Sequence, residues 1–174
     1  MHAAGGLVTT AADLSRWLLV NINQGRLDGR QVLPREAFEF VHRPRAEQKS
    51  SFGPFERTGY GLGWNIGRYD GDIFIHHFGG FAGFHSHIGF LPEHGVGVAV
   101  IANSAGLGAV SAGAIASYAY DLLLDKTDIE VRRAALLKER RSRAAQARAA
   151  IRIDRARRAD RTQEIARPLE AYTG

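Results

Sequence analysis

Residues 59–103 hold short runs of β-forming residues separated by turn signals, and this pattern constrains the fold most. GYGLGWNIG and DIFIHHF are separated by RYDG, a turn-forming tetrapeptide. GFHSHIGFLP makes a third strand, EHG turns the chain, and VGVAVIAN makes a fourth that is apolar enough to be buried on both faces. Connections this short join antiparallel neighbours, so the block predicts a meander. Helical patterns lie on either side of it. In TTAADLSRWLLVNINQG, Thr10 and Asp13 form a start resembling a capping box, Leu14, Trp17, Leu18 and Ile22 form one apolar stripe, and Gly25 suits the C′ position. LPREAFEFVH predicts a short second helix with Pro34 in its first turn. Residues 43–58 read as a polar loop. LGAVSAGAIASYAYDLLL returns as a helix of small and apolar residues able to pack closely on a sheet. The expected fold is therefore α+β, an antiparallel meander flanked by helices.

The texture changes near Thr127. From there to about Glu164 the chain is rich in Ala and Arg, both strong helix formers. A continuous helix would be roughly 50 Å long at ~1.5 Å per residue. Its apolar residues keep no sustained heptad, which predicts a solvated basic helix or linker rather than a coiled coil. Between Lys126 and Arg167 there are fourteen Lys/Arg and six Asp/Glu, a local +8. The whole chain carries +5, so the remainder carries −3. The high pI belongs to the tail and does not make the folded part a nucleic-acid binder. The tail lacks aromatic residues for base stacking and its acids interrupt the positive charge, so a spacer role is favoured over nucleic acid or membrane.

Cysteine is absent. That excludes disulfides, thiol catalysis and Cys-based zinc sites. No apolar run approaches a membrane span, and no secretory-signal pattern follows Met1, which leaves the compartment open.

Four of the seven histidines fall in HHFGGFAGFHSHIGF, residues 76–90. His85 and His87 are two apart and share a strand face. A five-residue connection would pair Phe78 with Phe84 and set His77 opposite His85, collecting three imidazoles on one face. A turn of Phe81-Ala82 would pair Gly80 with Gly83, set His77 opposite Ser86, and leave His76 with His85 and His87 on the other face. Three histidines suit zinc. No carboxylate or fourth ligand stands nearby in sequence, so cleft-lining sheet positions are the favoured reading and no metal is expected. Gly79, Gly80 and Gly83 serve equally well as a turn or as a bare strand edge that receives a substrate or donates to an oxyanion.

GGLVTTAADLSRWLL, YGLGW and HFGGFAGFHSHIGFLPEHGVGVAVIAN occur in an order and spacing that resemble the C-terminal portion of the β-lactamase-related serine hydrolases. These include class C β-lactamases, D,D-peptidases and esterases of the penicillin-binding-protein-like fold. The resemblance covers about residues 3–125. It implies amide or ester hydrolysis through an acyl-enzyme, with no cofactor, acting on a small-molecule substrate. In the family a strand carrying Lys-Thr-Gly or His-x-Gly faces the nucleophilic serine. The resemblance assigns His77 to the Lys/His position, Phe78 to the middle position and Gly79 to the glycine. Gly80 falls where a backbone N–H reaches the oxyanion, and Asn103 falls near the region that recognises substrate carboxylates. Phe78 replaces the commoner Thr or Ser and so removes a hydroxyl, which points away from penicillin-like substrates. The family's tight turn favours separating His77 from His85 and His87. A positioned His77 would supply a cation or a hydrogen-bond donor beside the nucleophile.

The nucleophile itself has no match. No serine is followed three residues later by Lys, no Tyr by Asn two residues on, and no Gly-x-Ser-x-Gly occurs. The expectation is a piece of a longer reading frame, in which an N-terminal portion of the hydrolase domain supplies the serine. Residues 1–125 would be the C-terminal part of that domain, 126–167 a basic helix or linker, and 168–174 the opening of a further, β-rich segment. The segment alone would be inactive, with apolar surface left exposed and a tendency to self-associate. The other reading is a non-catalytic binding or regulatory protein that associates through its sheet edge or its basic helix.

Overall fold

In the computed structural model, residues 5–81, 83–104, 108–161 and 168–172 are described. Two compact units divide at residues 136 and 137.

The first unit is built on a six-stranded antiparallel sheet in sequential order: β3 (Ala46–Phe52), β4 (Phe55–Tyr60), β5 (Asn65–Tyr69), β6 (Asp72–Phe81), β7 (Phe84–Leu91) and β8 (Val96–Ala102). A two-stranded hairpin, β1 (Arg26–Leu27) with β2 (Arg30–Gln31), lies outside it. The α+β meander flanked by helices is thus the observed architecture, with two strands more in the sheet than the sequence pattern predicts. Residues 43–58 are not a loop, because β3 and β4 form a hairpin across them. The segment is polar because most of its side chains face solvent. What binds it is the aromatic pair that flanks its Gly53-Pro54 turn. Phe55 is fully buried, and Phe52 packs against the same core.

Helix α1 (Ala11–Ile22) lies on one face of the sheet and α3 (Gly108–Leu123) on the other. Thr10 caps α1: its Oγ1 accepts from the Asp13 N–H at 3.1 Å while its O–H donates to the Asp13 carboxylate at 2.8 Å. Only the Thr10 half of a capping box is made, since the Asp13 carboxylate accepts from the Thr10 hydroxyl and not from its backbone N–H. At the other end, Asn23 is the C-cap, and Gln24 and Gly25 both take positive φ, so the left-handed turn starts one residue earlier than the glycine suggests. Helix α2 (Arg35–Val41) begins after Pro34. Leu18, Trp64, Ile75 and Phe90 fill the α1 side. Phe55, Tyr69, Phe74, Leu91, Val100, Ala112, Ala116 and Tyr120 fill the α3 side. The alanines of α3 are what let the helix approach so closely.

Helix α4 spans Ile129–Ala159 and has no buried residue. This matches a solvated basic helix. Its first turns are tied to the first unit by Arg132, which bonds Asp70 and Asp128 and lies 3.5 Å from Asp121. Asp121 also accepts the Tyr69 hydroxyl at 2.6 Å. Lys126 and Arg132 together hold the Asp70 carboxyl below its usual range. Leu169–Tyr172 form one 3₁₀ turn, while residues 162–167 and 173–174 lie outside the described set. No helix among the described residues is long and apolar enough to cross a membrane.

Candidate active site

The histidine- and glycine-rich stretch forms β6, β7 and their connection. The pairing is Phe81↔Phe84, Gly80↔His85, Gly79↔Ser86, Phe78↔His87 and His77↔Ile88. Neither register expected from the sequence occurs. Gly83, just before β7, takes φ 89°. Opposed residues share a face, so His76, Phe78, Gly80, His85 and His87 point towards α3, while His77, Gly79, Ser86 and Ile88 point towards α1. His77 is thereby separated from His85 and His87, as the tight turn implied. Among the described residues no three His, Asp or Glu side chains group to hold a metal.

The second half of β6 has an open side. Strand β5 pairs with it only from Asp72 to His76, because the β4–β5 turn at Gly61–Trp64 reverses the chain opposite His76. From His77 to Phe81 the strand pairs with β7 alone. Alternate backbone N–H and C=O groups along that edge therefore lack a ladder partner among the described residues. Gly80 is exposed there, and Gly79 is half-buried, where a Cβ would lie 2.6 Å from Ser86 Oγ.

His77 stands at the head of this edge, half-buried, with its Nε2 3.3 Å from the Tyr60 hydroxyl. Tyr60 ends β4 just past a bulge between Arg57 and Gly59. Burial lowers the His77 pKa, and the Arg57 guanidinium lowers it further against a backbone hydrogen bond at Phe78. A neutral imidazole here can donate to or accept from the Tyr60 hydroxyl, according to its tautomer. Tyr60 is a neighbour that the sequence pattern did not single out, because it lies on another strand, seventeen residues away.

Phe78 sits on the opposite face. Its ring packs on Phe52 at 4.3 Å and on His87 at 4.6 Å, with the Arg57 guanidinium 5.8 Å from its centre. Most of this ring belongs to the core. Asn103 is exposed just beyond β8. His85 lies over Gly80, and its Nδ1 is 2.9 Å from the Ser104 carbonyl. The structure thus brings His77, Phe78, Gly79 and Gly80 together on one strand, with His85 beside them.

A family model described as Beta-lactamase matches residues 1–120. The chain belongs to the Beta-lactamase family. Comparison with curated proteins and with solved structures gives no match. Membership makes the chain β-lactamase-related at the level of the hydrolase family. The matched span contains α1, the whole sheet and most of α3, and so the open half of β6.

Proposed function

We propose that this Beta-lactamase family chain is one wall of a serine hydrolase site of the penicillin-binding-protein-like type, related to class C β-lactamases, D,D-peptidases and esterases. In this reading a serine of a Ser-x-x-Lys segment outside these residues attacks an amide or ester carbonyl. The amine or alcohol leaves, and water then cleaves the acyl-serine. His77 stands beside the nucleophile as a neutral hydrogen-bonding group held by Tyr60. The Gly80 N–H stabilises the oxyanion. Phe78, Gly79 and Asn103 border the substrate. Residues 1–125 form the C-terminal part of the hydrolase domain, 126–167 a linker, and 168–174 the start of a further segment. The chain by itself is inactive.

The observation that carries this reading is the open edge from His77 to Phe81. A strand interior to the sheet is left unpaired along the half that holds His77 and the exposed Gly80. Leu62, at the β4–β5 turn, and Phe81 and Phe84, at the β6–β7 tip, are exposed large apolar residues near its two ends. Exposed apolar surface around an unpaired edge fits a covering polypeptide. The same residues support a second reading, in which the edge receives a strand from another copy of this chain and the protein is a non-catalytic binding module.

The experiment is ester hydrolysis by the product of the complete reading frame that contains these residues. The account expects an in-frame Ser-x-x-Lys, a burst of acyl-enzyme, and a loss of kcat of at least about a hundredfold for His77→Ala, the usual worth of one positioned hydrogen-bonding group in a reacting site. An unchanged melting curve controls for folding. Wild-type rates in His77→Ala, or a reading frame without the serine motif, would favour the binding module.

A further inference from the structure

We infer that His85 is the polar contact for substrate on the α3 side of the glycine edge, and that it selects a neutral group offering an N–H or O–H over a carboxylate. The inference rests on the hydrolase reading above. Strand pairing sets His85 directly opposite Gly80. A Cβ built on Gly80 would lie 3.1 Å from His85 Cδ2 and 3.3 Å from Nε2. The imidazole therefore borders the stretch of backbone that faces the reacting carbonyl.

The orientation and tautomer of the ring are set by what surrounds it. Nδ1 is 2.9 Å from the Ser104 carbonyl oxygen, which can only accept, so Nδ1 carries the proton. Gly108, in the first turn of α3, lies against the other side of the ring. A Cβ there would collide with Nδ1, so the ring is seated by a helix start that has no side chain. In the neutral ring Nε2 is then a lone pair. No described residue bonds it, and it adjoins an exposed glycine.

An acceptor at this place, beside a phenylalanine rather than a hydroxyl residue, matches an amide N–H or an alcohol O–H. A carboxylate would meet lone pair against lone pair. The substrate class is thus an amide or ester whose group on this side is uncharged and carries a donor.

The test is a chemical-shift titration, at pH 8, of the product of the complete reading frame with two probes, N-acetylphenylalaninamide and N-acetylphenylalanine as its carboxylate. Both probes should move the Gly79 and Gly80 amides. The amide should bind about fivefold more tightly, the scale of one neutral hydrogen bond. His85→Phe, which keeps a ring and loses the acceptor, should remove the preference. His85→Gln, which keeps an acceptor, should retain part of it. Equal binding of the two probes, or a preference that survives in His85→Phe, overturns the role of His85 and leaves the hydrolase reading standing. If neither probe moves Gly79 and Gly80, the edge is not a substrate wall and both fall.

Discussion

Two buried histidines are expected to destabilise the sheet unit by about 4 kcal/mol between pH 7 and pH 5. His76 and His87 are both fully buried between the sheet and α3, stacked among Phe55, Phe74 and Phe78. Among the described residues neither ring nitrogen of His76 has a partner, and His87 has only the Tyr120 hydroxyl at 3.2 Å from Nε2. Burial depresses the His76 pKa to about 2, with smaller contributions from His87, Arg57 and His77. It depresses the His87 pKa to about 3, with Arg57 adding to the effect. In the unfolded chain both titrate near 6.5. Between the unfolded and folded values the unfolded state binds the extra protons. Stability is therefore complete above about pH 6.5 and falls as the pH drops through that value, by roughly 2 kcal/mol per histidine at pH 5. Against a total of about 5–15 kcal/mol for a domain, that loss is large. Urea unfolding at pH 7 and pH 5 measures it. His76→Phe replaces two unpartnered buried nitrogens with carbon. It should raise stability at pH 7 by about 1–3 kcal/mol and remove roughly 2 kcal/mol of the acid sensitivity. A midpoint that does not move between the two pH values would show that these rings are hydrated or hydrogen-bonded in solution.

Phe55→Ala should cost about 3–5 kcal/mol, as large a change as any single substitution in this sheet should produce. The ring is fully buried and contacts Tyr69, Phe74, His76, Phe78, His87 and Tyr120. It begins β4 and holds the β3–β4 hairpin to the α3 face. Its loss should free that hairpin first, seen as fast amide exchange over residues 46–60 ahead of global unfolding. A loop in the same place would show fast exchange in the wild type and a cost below about 1 kcal/mol.

This hairpin also marks where the sequence becomes hard to read. The four strands from β5 to β8 and the helices α1 and α3 carry regular apolar periods, and their order alone implies the layers. Strands β3 and β4 carry two inward aromatics, Phe52 and Phe55, among outward polar residues, too few to make a period. The β6–β7 register was hidden for a related reason. Gly79, Gly80 and Gly83 present no side chain to either face, so no apolar set distinguishes one pairing from the next. The HFG element could be read through its resemblance to a known motif. Tyr60 and His85 could not, since one meets His77 from another strand and the other depends on a pairing that the glycines leave unmarked.

Covalent labelling of the complete reading-frame product with a serine-reactive fluorophosphonate, followed by peptide mass mapping, tests most directly whether the His77–Gly80 edge is half of a site completed by another stretch of polypeptide. The account predicts one labelled serine, in a Ser-x-x-Lys segment outside these 174 residues, with labelling slowed in His77→Ala. A label on any of the chain's own serines, or labelling indifferent to His77, would contradict it.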